Sequence, residues 1–250
     1  MRSRARLTGA CICMPIERSM ASLVFSIPHW MAWSPSAKSR GGNWAPPDAP
    51  TILKRRVSPL GREALLAAFG LPDVGASRFV LSSRHGEFGR TQALLSALAD
   101  GEPLSPADFS LSVHHGLIGL LSIATGNRLG HTAVAAGRES FAYGLLEAAA
   151  AATERPGQPM ALVHFDEPLP PPWDAVDGAQ EAPLAMALYL TSPAGGRNDV
   201  TFDWAPKKER APVCDSLALE FLSFLQGDIR AGGAIGERME WRWGRADGAS

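Results

Sequence analysis

Hydrophobic positions recur along this chain with two periods, and the switches between them mark out the elements. Residues 23–27 (Leu-Val-Phe-Ser-Ile) read as a strand, followed by an aromatic cluster of Trp30, Trp33 and Trp44 set among Pro and Gly. After Pro59 the spacing predicts a short amphipathic helix over 62–69, which Gly70 and Pro72 end. Residues 78–81 form a compact strand, and 91–99 a helix that stops at the turn pair Asp100-Gly101. Ser105-Pro106-Ala107-Asp108 opens a long apolar helix, placed at about 112–125 and ended by Gly126 and Asn127. Residues 131–136 are small or β-branched and read as a strand. Gly137-Arg138-Glu139-Ser140 makes a tight turn into an alanine-rich helix over 141–153. Runs 160–165 and 184–191 are buried strands separated by a proline-rich loop at 168–173; 217–225 is helical, and 238–243 alternates like a final strand. Strands alternating with helices and no internal repeat predict an α/β fold with one domain over 22–245. Residues 1–21 read as a flexible tail or as a start site set too early, with Met20 the true start; 246–250 form a short tail.

Composition narrows the classes. A chain of 250 residues with 46% hydrophobic content is long enough to bury a core without disulfide or metal staples. No run reaches the ~18 apolar residues of a membrane span. Lys and Arg number 24 against 25 Asp and Glu, so the basic footprint of a nucleic-acid binder is missing. The apolar patch at 10–14 is cut by Pro15, Glu17 and Arg18, unlike the core of a signal peptide. Cysteines stand only at 11, 13 and 214, an odd count with no second pair at zinc spacing. This usage fits a reducing cytoplasm, with no metal and no cofactor expected.

Strand, sharp turn and helix at 131–153 is the local architecture of a nucleophile elbow, which lifts one side chain to a helix N-terminus. Here the apex is Gly137-Arg138, and an arginine neither attacks nor deprotonates at neutral pH. Ser140 is a possible nucleophile, but the Gly-x-Ser-x-Gly spacing is absent. His114 and His115 are adjacent, so on a helix their rings diverge by ~100° and do not easily share one metal. One faces the core or an interface and the other solvent; the alternative is a lone general base. The Ser82-Ser83-Arg84-His85-Gly86-Glu87 loop is either a substrate loop or a plain polar loop. The stripe Leu117, Leu120, Leu121 and Ile123 reads as core. Phosphate loops, dinucleotide fingerprints and zinc-protease motifs are all missing.

The run from Leu104 to Gly116 with its His114-His115-Gly116 ending, then Ser122-Ile123-Ala124-Thr125-Gly126-Asn127-Arg128, resembles the N-terminal half of β-ketoacyl synthases of the thiolase-like superfamily. It is most similar to the short chain-length-factor-like subgroup of bacterial polyene-type clusters. Residues 25–35, the Ser83–Glu87 loop, 163–170 and Trp241-Arg242-Trp243 extend the resemblance over about 23–243. It implies a thiolase-like layered sheet with helices on both faces. Aligned on Gly119, Gly126 and Arg128, the nucleophilic cysteine of ketosynthases falls on Arg138, or with a slip in register on Ala136 or Gly137. None forms a thioester. The catalytic histidines of ketosynthases lie in a C-terminal half with no counterpart here, so His114 and His115 do not stand in for them. The resemblance therefore implies a non-catalytic partner that pairs with a full-length β-ketoacyl synthase in fatty-acid or polyketide (aryl-polyene-type) synthesis. It would meet acyl carrier protein through that complex and complete the acyl tunnel. Arg84, His85, Glu87 and Phe88 would stand at the gate, and His114, His115, Leu117, Leu120 and Leu121 at the interface or tunnel wall. Two alternatives remain: a stand-alone acyl hydrolase or transferase using Ser140 with His114 or His115, and a homodimeric carrier-protein docking module.

Overall fold

The computed structural model describes residues 20–35, 57–177, 182–208, 211–227 and 229–246. Trp44, Cys11, Cys13 and nearly all of both tails lie outside them. Eight strands form one mixed sheet in the order β3-β2-β4-β5-β1-β6-β8-β7. They are β1 (Ala21–Trp33), β2 (Arg78–Ser82), β3 (His131–Val134), β4 (Met160–Asp166), β5 (Leu184–Thr191), β6 (Asp199–Pro206), β7 (Ala231–Ile235) and β8 (Met239–Arg245). Strands β3, β2 and β4 run parallel, and every other pairing is antiparallel. The helices are α1 (Pro59–Phe69), α2 (Phe88–Ala99), α3 (Pro106–Leu111), α4 (His115–Thr125), α5 (Ser140–Glu154), the single turn α6 (Asp174–Asp177) and α7 (Leu217–Leu225).

Helices cover both faces of the sheet. On one, α5 and α7 pack Phe141, Leu145, Phe221 and Phe224 against Phe25, Phe202, Trp241 and Trp243. On the other, α1 and α4 pack Leu65, Ile118 and Leu121 against Phe79, Leu81, Val163 and Phe165. All seven residues of β4 are buried, because this strand has a helix on each side. The alanines and Gly144 of α5 let that helix lie close to the sheet: a Cβ at 144 would stand 2.6 Å from Ser82 Cβ. Strand β1 serves two neighbours, pairing with β6 through Ala21–Ser26 and with β5 through His29–Trp33. The shift falls at Ile27-Pro28, where proline has no N–H for the ladder.

Several sequence expectations change. Trp30 and Trp33 lie within β1, not in a loop. The single helix placed at 112–125 is two. Ser105 caps α3 by accepting from the Asp108 amide, and the chain then breaks at 112–114 before α4. Ser110 and Ser112 return their hydroxyls to the Pro106 and Phe109 carbonyls, competing with helix continuation. Gly116 lets the break close, since a Cβ there would stand 3.0 Å from the Leu111 backbone. The strand placed at 131–136 ends at Val134. Strands β6 and β7 were not anticipated. No helix among the described residues is long and apolar enough to cross a membrane.

Candidate functional site

In sheets with parallel strands, sites gather at the strands' carboxyl ends. Here three loops leave β2, β3 and β4 on that side: 83–87, 135–139 and 167–173. The loop after β3 is the elbow. Gly137 adopts a left-handed φ of 64°, and Ser140 begins α5. The Ser140 hydroxyl donates to the Gly137 carbonyl at 2.7 Å and accepts from the Ala136 amide at 2.9 Å. It is 1% exposed and bonds to neither His114 nor His115. His115 packs instead on His131 at the start of β3, and His114 lies beside Gly86. The structure thus makes Ser140 the fastener of the turn and does not bring together the Ser-His pair of the hydrolase reading. Arg138, at the apex of the turn, has its Nε 3.9 Å from Glu237 Oε1.

The residue that organises the elbow is one sequence reading passed over. Glu139 is fully buried, and its Oε1 accepts from the Met239 amide and from the Trp241 indole N–H, both at 3.0 Å. Its Oε2 accepts from the Arg238 amide at 3.1 Å and faces the Arg238 Nε at 3.5 Å. The Arg238 guanidinium also donates to the Ala136 carbonyl. These bonds fold the β7–β8 hairpin over the elbow. Gly236 makes this possible, because any Cβ there would collide with the Glu139 carboxyl. In sequence Glu139 looks like an ordinary acidic residue at a helix start; only the distant pairing with 238–241 gives it meaning.

Behind the elbow lies a second network. Ser82, His164 and Asp166 are 0%, 2% and 9% exposed. His164 Nδ1 is 2.9 Å from Ser82 Oγ and 3.1 Å from the Ser82 carbonyl, while its Nε2 is 3.6 Å from Asp166 Oδ2. Burial lowers the proton affinity of His164; the Asp166 carboxylate and the Ser82 carbonyl bond oppose that shift. Serine, histidine and aspartate in contact suggest a triad, but α5 covers them, with Phe141 edge-on to the imidazole at 5.2 Å. The set anchors a loop. Asp166 Oδ1 accepts from Ser83 Oγ and from the Arg84 amide at 2.6 Å, and Ser83 Oγ accepts from Gly86 N.

The 83–88 segment so held splits in role. Glu87 is 7% exposed and tied to structure, accepting from the Ser58 amide at 2.6 Å and from Arg90 Nε at 3.1 Å. Ser58 also donates its hydroxyl to Glu167, whose carboxyl is pushed up chiefly by burial; the Ser58 bond opposes this and nearby Glu87 adds to it. Arg90 bridges on to Asp108. A cleft of ≈ 450 Å³ opens beside these groups, between the start of α1 and helices α2 and α3. Phe88 is half-buried, edge-on to His85 at 6.3 Å and to Trp173 at 5.8 Å. Phe88, His85 and Trp173, with Arg84 beside them, thus stand together at the mouth formed by the β2 and β4 loops.

Leu117, Leu120 and Leu121 are buried in the chain's own core, so they present no free wall to a tunnel or partner. Ile123, read as core, is 78% exposed instead. Other exposed apolar side chains are Leu95 and Leu98 on α2, Leu104, Phe109 on α3, and Val113. Neither α2 nor α3 buries a single residue. Strand β3, the edge of the sheet, has α4 and α5 as its helical neighbours.

Comparison with known proteins places this architecture. No curated protein matches the chain by sequence. One solved structure, the ketosynthase ApeO in complex with its chain length factor ApeC from Xenorhabdus doucetiae, contains a chain similar to this one. Their identity is 28% and the TM-score 0.74, over 89% of this chain and 100% of that one. A β-ketoacyl synthase from Burkholderia phymatum shares the fold at 15% identity and a TM-score of 0.50, over 76% of this chain and 59% of its own. The family model described as beta-ketoacyl synthase, N-terminal domain, matches residues 30–244. That match spans the edge strand, the elbow and the closing hairpin alike, and the chain belongs to the β-ketoacyl synthase N-terminal domain family.

Proposed function

We propose that this chain is a non-catalytic, chain-length-factor-like partner of a full-length β-ketoacyl synthase, shaping the acyl tunnel in fatty-acid- or polyketide-type synthesis. The observation that carries the reading is the elbow. Thioester formation needs a thiol at its apex and an open approach. Gly137 and Arg138 occupy the apex, and Glu139 draws the β7–β8 hairpin over the turn. The one cysteine among the described residues, Cys214, lies outside that loop. The family geometry is kept while the condensing chemistry is not.

The pairing surface in this reading is the β3 edge with α2, α3 and the outer face of α4. An edge strand offers unpaired backbone groups to another chain. Leu98 at 62%, Phe109 at 64% and Ile123 at 78% exposure are the apolar side chains these helices offer a partner. The ketosynthase is the occupant because the similar solved chain comes from a ketosynthase bound to its chain length factor. Phe88, held between His85 and Trp173 on a loop anchored by Asp166, is the residue assigned to set chain length. Acyl carrier protein reaches the chain only through the complex, which works in the cytoplasm without a cofactor on this subunit.

Co-expression with a full-length β-ketoacyl synthase of the same organism, followed by light scattering on the size-exclusion peak, tests the proposal. A one-to-one complex with altered product length supports it, and Phe88→Ala then lengthens the product while leaving the complex intact. If the protein elutes alone and the ketosynthase elongates unchanged without it, the reading fails.

A further inference from the structure

The break before α4 puts His115 on the first residue of that helix, and the parallel crossover puts His131 on the first residue of β3. The two imidazoles meet with centroids 5.0 Å apart and planes inclined by 49°. Neither ring makes a hydrogen bond to any described residue, so their ring nitrogens are uncommitted. His115 is exposed and His131 half-buried, leaving the pair open to solvent on one side. We propose that His115 and His131 form a two-imidazole site for a borderline divalent transition-metal ion of the zinc, nickel or copper class, clipping α4 to the edge strand.

The separation of the rings suits such an ion. Metal–nitrogen bonds of ~2.0–2.1 Å at near-tetrahedral angles place two ligating ring centroids ~5 Å apart. Imidazole is the side chain these ions prefer, and it binds in its neutral form. His131 favours that form, since burial and then the neighbouring His115 lower its proton affinity. Calcium and magnesium are excluded as occupants by their demand for oxygen ligands. No three His, Cys, Asp or Glu side chains converge among the described residues, so water or another chain fills the remaining positions. The site is therefore exchangeable. It spans two elements whose relative position defines the β3 edge, so occupancy stiffens that edge. Nothing in this inference depends on the ketosynthase pairing.

The test is titration of the full chain with Ni²⁺ by calorimetry, and with Cu²⁺ by electron paramagnetic resonance. Wild type should bind one Ni²⁺ more than either His131→Ala or His115→Ala, or each variant should bind that ion at least ~10-fold more weakly. The copper spectrum should report two coordinated nitrogens in wild type and one in each variant. His115 is exposed, so its variant remains informative should His131→Ala fold poorly. Unchanged stoichiometry and affinity in His115→Ala, or a copper spectrum that keeps both nitrogens, overturns the proposal.

Discussion

Replacing Glu139 by alanine removes, besides the long 3.5 Å bond from the exposed Arg238 Nε, the acceptor of three N–H groups that belong to the far hairpin. Two of them cannot turn to water: the indole of Trp241, 1% exposed, and the Met239 amide beneath it. The third, the amide of the exposed Arg238, can be rehydrated. Leaving a buried donor unpaired costs about 1–3 kcal/mol each, so the two confined donors together set a loss of about 2–6 kcal/mol. That is a large share of the ~5–15 kcal/mol by which a domain is stable. Glutamine keeps the volume and one carbonyl oxygen. Turned toward Met239 and Trp241, that oxygen satisfies both, and the amide nitrogen meets only the solvent-accessible Arg238. Glu139→Gln should therefore cost about 1–2 kcal/mol, well under the alanine variant. The control, Glu237→Ala, alters an exposed carboxylate 3.9 Å from Arg138 and should shift stability by less than ~0.5 kcal/mol. Urea unfolding followed by far-ultraviolet circular dichroism measures all three, with a constant m value as the check that the denatured state is unchanged. An alanine variant within ~1 kcal/mol of wild type, or a glutamine variant as damaged as alanine, refutes the assignment of Glu139 as the anchor of the hairpin.

The same logic reaches three other places. Gly236→Ala drives a methyl group into the Glu139 carboxyl and should lower the urea midpoint, whereas Gly196→Ala, with open space around it, should leave it nearly unchanged. His164 has a lowered proton affinity in the fold, so the unfolded chain takes up the extra proton. Its contribution is complete above the unfolded value of ~6.5 and drains as pH falls below it, by up to ~1.4 kcal/mol per pH unit. His164→Asn should flatten that stretch of the stability–pH curve even if it lowers the whole curve, and an unchanged slope would count against the buried neutral imidazole. Ile123→Glu should abolish the complex with the ketosynthase and leave the melting temperature of the free chain within about a degree, as expected for a surface change; a complex of undiminished affinity would move the interface elsewhere.

Legibility followed the local physics. Strand β5 and helix α7 fall at the residues predicted, since 184–191 is an unbroken apolar run and 217–225 follows a serine cap at Ser216. The elbow was equally readable, because strand, glycine and alanine-rich helix are all local signals. Strand β6 carried a usable signal that was missed, with Val200, Phe202 and Trp204 alternating with Thr201 and Asp203. Strand β7 carried none. Its Gly232 and Gly233 look like a loop, yet they are needed because a Cβ at 232 would stand 2.6 Å from the Trp243 indole nitrogen and one at 233 only 2.8 Å from the Trp241 carbonyl. The 83–88 loop was located by its polar run. Its anchors, Asp166 and Ser58, are distant along the chain, and no spacing rule connects positions 82 or 29 residues apart.

Why an elbow should persist without a nucleophile has a physical answer in the same residues. The turn places the start of α5 against the ends of β2 and β4, and Ser140 holds it shut by bonding both to Gly137 and to Ala136. That arrangement also sets Phe141 against His164, and His164 touches Asp166, which holds the Ser83-Arg84 backbone. Phe88 hangs from the end of this chain of contacts. Relaxing the elbow would therefore disturb the loop that positions Phe88, whatever side chain stands at residue 138. Glu139 adds the complementary tie, from the elbow outward to the hairpin at the opposite end of the strand order. The turn thus serves as the joint between the 83–88 loop and the hairpin. Such a role constrains Gly137, Glu139 and Ser140 closely while placing far weaker demands on the side chain at position 138.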